Sequence, residues 1–448
     1  MIDEISDHRL QHYFQNYVKQ NCNYEIRKVL HSALYCGARI MKPLGHEPAV
    51  FLLRNQEETK FYGHITCKNS WFCPTCAAKQ MSKYARDVAI GLDALEKQGQ
   101  SAFMITLTIP HTSGMTCEET TEILYNSWKL LISNGNSTVS KAGKKKNNLN
   151  NVFSKFCEEF NCKHRVRVGE FTHGKQGWHP HFHCLFWVDS DKFDNVLSWE
   201  NELQSRWIEV VKLKTLQYWN KLKPDQKKQN ETRLKIMYSK LKAKSVALYI
   251  SKDNSGKIIK QKSSMYICGW GADKELTGNY QNKASHEGHS TPYQLLEKGA
   301  AGDEEAMKLF IEYAVATRKK KHARINFSKG IRDIIKLHKQ TNAYQEFVKK
   351  KLIQDQAKNG KWEVLLWFNQ SQWFRICELE KIRPIKSEIL QLAKNHLCYK
   401  DARKIIADFL LQYNIDVLAN NEHSLEMHIE DIFNSQSNCV ANNFEKCA

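Results

Sequence analysis

The sequence predicts an α+β protein: a central antiparallel sheet flanked by helices, with a cysteine-rich N-terminal segment and a helical C-terminal region. Three observations carry that reading. Phe103–Ile109 (FMITLTI) is a β-branched run halted by Pro110, which is how a buried strand reads. Arg165–Thr172 and His179–Val188 alternate on either side of a Gly-containing turn at 173–177, the pattern of a β-hairpin. Elsewhere apolar residues recur at helical spacing, as in Ala77–Leu95.

Taken in order, the first 60 residues read as a helix followed by strand-like segments, and cysteines then crowd between Cys67 and Cys76. Ala77–Leu95 contains neither Gly nor Pro until Gly91, so the helix is expected to run through it. The strand Phe103–Ile109 follows. Ser133–Asn151 is polar and lysine-rich and reads as a surface loop. After the hairpin, Leu213–Lys244 carries many lysines and Pro224, and is expected to be helical and partly exposed. Val246–Ile250 and Lys257–Ile259, around Asp253-Asn254-Ser255-Gly256, suggest a second hairpin. Gly302–Thr317 opens with Asp303 as N-cap and is helical in spacing. Beyond Ile331 the chain reads as helix-rich to about Leu418, and residues 416–448 hold six acidic side chains against one lysine. At about 150 residues per domain, a chain of 448 residues holds roughly three units. They are expected at 1–98, 99–335 and 336–448.

Composition narrows the partners. Sixty-seven Lys and Arg against 48 Asp and Glu leave a net charge of +19, which favours a polyanion because neutralising phosphates releases counterions. No apolar run approaches the roughly 18 residues a membrane span needs. The opening Met1-Ile2-Asp3-Glu4-Ile5-Ser6-Asp7 is acidic and lacks the apolar stretch of a signal peptide. A cytoplasmic location is expected, where the 14 cysteines stay reduced and a cluster among them points to metal.

The hairpin holds the densest chemistry: Glu170, His173, His179, His181 and His183 within 14 residues. Positions two apart on a strand share a face, so His181 and His183 project together and Phe182 turns into the core. Two imidazoles and a carboxylate hold a divalent ion with positions left open, as Lewis-acid chemistry requires. Glu170 on the neighbouring strand supplies the third ligand, and His179 shares the face nearer the turn. Histidines merely decorating a solvated strand are the plainer alternative, weakened by three of them standing within five residues opposite a glutamate.

Phe103-Met104-Ile105-Thr106-Leu107-Thr108 followed by Trp178-His179-Pro180-His181-Phe182-His183 resembles motifs one and two of the HUH endonucleases. Within that superfamily the chain resembles plasmid rolling-circle replication initiators. Gly269-Trp270-Gly271, Glu275-Leu276-Thr277, Thr291-Pro292-Tyr293-Gln294-Leu295-Leu296 and Ile325–Ile331 follow in the family's order, so the resemblance spans about residues 30–335. It implies an HUH-type sheet and a domain, 99–335, that nicks and transfers one DNA strand. A tyrosine attacks the scissile phosphorus, leaving a 5′-phosphotyrosine and a 3′-hydroxyl primer. Host helicase and polymerase are the implied partners. His181, His183 and Glu170 would hold Mg²⁺ or Mn²⁺. Tyr266 fits the family context best, although Gly269 stands where a lysine is usual. Tyr249-Ile250-Ser251-Lys252 reproduces a Tyr-x-x-Lys spacing and keeps Tyr249 as the alternative. Lys262 and Ser245 occupy the place four residues before each, where some members carry a glutamate that activates water. Tyr313, in an apolar-faced helix, reads as core.

Cys67, Cys73 and Cys76 have knuckle spacing, since Cys-x-x-Cys lets two thiolates share one ion. Cys36 is the choice for fourth zinc ligand, supported by the family resemblance, with His64 and Cys22 as alternatives. Buried free thiols and Cys-x-x-Cys redox chemistry are the competing readings; no βαβ pattern supports the latter. Arg318, Lys319, Lys320, Lys321 and Arg324, with Lys144–Lys146, are basic runs expected to contact phosphate. Trp270 and Phe327 are candidates for stacking unpaired bases, with core packing the plainer reading of Phe327. Two rival functions stand: an HUH-type transposase or relaxase, and a non-enzymatic zinc-containing DNA-binding regulator.

Overall fold

A computed structural model describes residues 4–41, 49–133, 152–239, 246–249, 288–319, 322–341, 344–346, 350, 354, 362–396 and 398–418. The lysine loop, Lys257–Ile259, Tyr266, Trp270, Lys320, Lys321 and the tail beyond Leu418 lie outside these residues. In chain order the strands are β1 (Arg39–Ile40), β2 (Val50–Arg54), β3 (Thr59–Tyr62), β4 (His64–Ile65) and β5 (Gln100–Thr108). They continue with β6 (His164–Gly174), β7 (Gly177–Asp189), β8 (Val246–Tyr249), β9 (Ile325–Phe327) and β10 (Glu363–Phe368). Their pairings are antiparallel, and helices fill most of the rest, so the protein is mixed α+β.

The described chain forms two compact units rather than three consecutive ones. Residues 69–72 and 77–345 make one. Residues 1–68, 73–76 and those from 346 onward make the other. The division expected at 1–98 and 336–448 fails because the two chain ends share one sheet, of order β10-β2-β3. Phe368 pairs with Val50, Trp367 with Phe51 and Leu366 with Leu52. The side chains of Val50, Leu52, Leu366 and Phe368 join Ile385, Ile389 and Leu390 of the helix Ile385–Asn395 and Ile406 and Leu410 of Tyr399–Leu411 in one core. Glu363–Phe368 (EVLLWF) is a short apolar run in a stretch read as helical. Val364–Phe368 are buried on both faces, so the run shows no alternation to mark it as a strand.

The larger unit is built on a sheet of order β8-β5-β7-β6-β9. The hairpin expected from 165 to 188 is β6 and β7. Its turn closes at Gly177, whose φ of +86° and close approach to Ser113 leave no room for a side chain. On one face of β7, Phe182 and Cys184 are fully buried. The Phe182 ring lies edge-on to Tyr125 at 4.9 Å and to Trp128 at 6.0 Å, both on the helix Cys117–Ile132. Burial of a phenylalanine of this kind contributes about 1.5–3 kcal/mol. Thr116 caps that helix, its Oγ1 accepting from the Glu119 amide at 3.1 Å. Arg167, which sequence inspection passed over, is buried with its guanidinium 4.6 Å from the Tyr125 ring and 4.5 Å from Phe182.

Pro224 interrupts the expected Leu213–Lys244 helix into Glu200–Leu222 and Lys227–Ser239. Trp207 on the first of these donates from Nε1 to the Thr108 carbonyl at 2.6 Å, at the end of β5. Asp303 caps the helix Glu304–Lys319 as expected, accepting from the Ala306 amide at 3.0 Å. Phe327 is buried in β9 beside Tyr84, and Tyr313 is buried with its hydroxyl donating to the Trp71 carbonyl at 3.1 Å. Both are core residues.

In the unit made from the chain ends, Glu380 is buried, and its Oε2 accepts from the Lys386 amide at 2.9 Å. Burial pushes its carboxyl up to about 7, with the charge of Lys386 opposing. The folded state therefore holds this proton more tightly than the unfolded chain does. Its contribution to stability is complete below about pH 4.5 and is lost as pH rises toward 7. Glu380→Gln, which keeps an acceptor oxygen, should raise urea stability by roughly 1–3 kcal/mol at pH 8. The gain should vanish near pH 4.5.

Candidate metal centres

Register assembles the first centre. Glu170 on β6 stands opposite His181 on β7, and His183 is opposite Val168 on one side and Thr106 of β5 on the other. The alternation that buries Phe182 turns His181 and His183 to the other face, where Glu170 meets both. Glu170 Oε2 lies 3.2 Å from His181 Nε2 and 3.4 Å from His183 Nε2. Two ligands at right angles around an ion about 2.1 Å away stand about 3.0 Å apart, and tetrahedral ones about 3.4 Å. The three atoms thus fit one divalent ion on a single side and leave its other positions open.

Burial alone would raise the Glu170 carboxyl, but hydrogen bonds and charge from His181 and His183 outweigh it. The group is held well below the usual carboxylate range, so it stands ready as an anionic ligand. Thr106 Oγ1 is 2.9 Å from His183 Nδ1. With Nδ1 carrying the proton toward this hydroxyl, the lone pair on Nε2 faces the ligand point. Along the chain Thr106 is one residue of a strand motif with no chemistry to single it out. Its only signal is the cross-strand position, which needs the β5–β7 register.

His179 is not in the set of converging ligand atoms. Its ring stacks on His111 at 4.9 Å and lies 5.2 Å from His181, so His111 is a neighbour that spacing along the chain did not reveal. Gly169, next to Glu170, has no space for a side chain: a Cβ there would lie 2.8 Å from the Trp71 ring. This closeness seats β6 on the core beneath the carboxylate.

The second centre gathers Cys36, Cys67, Cys73 and Cys76, whose sulfurs all lie within 4.8 Å of one another. Cys73 and Cys76 flank the start of the helix Pro74–Glu96, Cys67 follows β4, and Cys36 follows the helix Tyr24–Leu34. Sγ of Cys36 and of Cys67 lie 3.4 and 3.7 Å from that of Cys76. Four thiolates around a tetrahedral ion at about 2.3 Å stand about 3.8 Å apart, so the cluster fits one. The Cys67 amide donates to Cys36 Sγ at 3.3 Å, and hydrogen bonds from the other three thiols hold the Cys36 thiol below its ordinary range. Cys36 is thus the fourth member. His64 stacks on Trp373 instead, and Cys22 is not in the group.

Of the basic run, Arg318 is exposed at the end of its helix and Lys319 is the final residue there. Arg324 corrects the expectation of a phosphate contact. It is buried, donating to the Ser70 carbonyl at 2.8 Å beside Trp71, so its charge is spent inside the fold. Tyr249 closes β8 at the register position of Met104. Among the described residues no helix is long and apolar enough to cross a membrane.

Thr106→Val should lower Mn²⁺ affinity about 10–100-fold by calorimetry while the fold persists. Cys73→Ser should reduce tightly bound zinc by one equivalent in elemental analysis and lower the melting temperature. Compared with protein-family models, curated proteins and solved structures, the chain matches none.

Proposed function

We propose that the chain is a rolling-circle replication initiator of HUH type, nicking one strand of a plasmid origin and rejoining it at termination. The observation that carries this reading is the convergence of Glu170, His181 and His183 from one hairpin, oriented by Thr106 of the adjoining strand. Between them these strands carry both motifs on which the family resemblance rests. The net charge of +19 supports a nucleic-acid substrate.

In this reading Glu170, His181 and His183 hold Mg²⁺ or Mn²⁺, and Cys36, Cys67, Cys73 and Cys76 hold a structural Zn²⁺. When bound, the divalent ion supplies positive charge to the non-bridging oxygens of the scissile phosphate. Glu170 joins the two imidazoles as the carboxylate, and Thr106 keeps His183 from turning. Tyr266, or alternatively Tyr249, attacks phosphorus as the phenolate after losing its proton. The P–O3′ bond breaks, the 3′-oxygen takes up a proton, and the 5′-phosphate of the downstream segment remains on the tyrosine. The resulting 3′-hydroxyl primes synthesis by the host helicase and polymerase. Attack of a 3′-hydroxyl on the phosphotyrosine rejoins the strand.

Incubation with Mn²⁺ and single-stranded DNA from the parent replicon should give a protein–DNA adduct on a denaturing gel. Tyr266→Phe should abolish it, and His183→Ala should reduce it by about a hundredfold or more. Loss in Tyr249→Phe alone would transfer the nucleophile's role. No adduct with any strand would leave a metal-containing DNA-binding regulator.

A further inference from the structure

The unit made from the chain ends contains a cavity of about 660 Å³, within the range of small-ligand sites and separate from the Glu170 centre. Two of its lining side chains are fixed on the Gly37 carbonyl, which accepts from Trp373 Nε1 at 3.1 Å and from Lys386 Nζ at 3.4 Å. Cys36 of the thiol cluster forms part of its wall. Two large aromatic side chains at the cavity are left in solvent: Tyr35 is 50% exposed and Phe374 63%. Tyr35 packs against the His31 ring at 4.7 Å, and the aromatic surface still open beside the cavity marks a place for something flat.

Charge specifies that object further. Lys19, Arg39, Lys381 and Lys386 line the cavity together with two carboxylates, Glu378 and Glu380. Lys381 is paired with Glu378 at 2.5 Å, and Lys386 lies 4.9 Å from the Trp373 ring centroid. Lys19 sits 5.9 Å from the Tyr35 ring centroid. Neither Lys19 nor Arg39 makes an ion pair among the described residues. Two cations without a direct ion pair, one of them near Glu378 and Glu380, beside the exposed Phe374 ring and the half-exposed Tyr35 ring suit an anion joined to a planar group. Aromatic faces stack on any base, and lysine and arginine track the phosphate.

We propose that this cavity is a nucleotide-binding site that takes a base on Phe374 or Tyr35 and its phosphate on Lys19 and Arg39. The unit is either one residue of a single DNA strand or a free nucleotide, and the same contacts serve both. The site makes no use of the Glu170 centre, so it stands or falls independently of the nicking reading.

The test uses the full-length chain and fluorescein-labelled dT8 in an anisotropy titration. Phe374→Ala and Arg39→Glu, both at exposed positions, should each weaken binding about tenfold or more. Arg39→Glu should also reduce the slope of log affinity on log salt by about 0.7 for each phosphate it leaves unneutralised. Phe374→Trp should bind like the parent. Displacement by dTMP near the dT8 dissociation constant assigns the site to free nucleotides, and resistance to about a hundredfold excess assigns it to a strand. Unchanged dT8 affinity in both Phe374→Ala and Arg39→Glu would overturn the proposal.

Discussion

The antiparallel register of β5, β7 and β6 is the constraint on which the larger unit depends. A slip of one residue in β7 would turn His181 and His183 into the space now filled by Tyr125 and Trp128, and would expose Phe182. The aromatic packing on one face therefore enforces the chemistry on the other. Phe182 is fully buried and is flanked by two rings and the Arg167 guanidinium. Removing it from water opposes any shift that would scatter the candidate metal ligands Glu170, His181 and His183. Gly169 adds a steric limit, since β6 approaches Trp71 too closely for a side chain at that position.

The same register explains why the Glu170 carboxylate tolerates burial. An isolated buried carboxylate takes up a proton, because the charged form loses its hydration. Here two imidazoles facing one oxygen more than offset that cost. Glu380 is the opposite case. Its neighbours do not outweigh burial, and its carboxyl is raised to about 7. One protein thus holds a ready anionic ligand and a near-neutral core acid, and the difference lies in what faces each oxygen.

The smaller unit shows how distant parts of a chain come to share one core. β10 inserts beside β2, and the helices that follow cover the same sheet. The thiol cluster lies within this unit, joining the segment after the helix Tyr24–Leu34 to the start of Pro74–Glu96. A metal held by these four thiols would cross-link a region whose own N-terminal strands are only two to five residues long.

Local pattern was enough for much of this. The strand at Phe103–Ile109, the histidine hairpin, the Asp303 cap, the pairing of Glu170 with His181 and His183, and the inward turn of Phe182 all follow from period-2 alternation or short-range capping. The Cys-x-x-Cys spacing likewise marked its cluster, because both thiols lie within one helical turn. Only tertiary structure decided matters that depend on pairing between distant segments. It brought Cys36, already the favoured fourth ligand, up to the other three thiols, gave Thr106 its position against His183, and buried Arg324. It also placed β10 in the sheet with β2, dissolving the expected boundaries at 98 and 336. The physical reason is common to all four. Alternation and helical spacing report which face of an element is apolar, whereas the partner that covers that face is selected by packing among segments far apart in the chain.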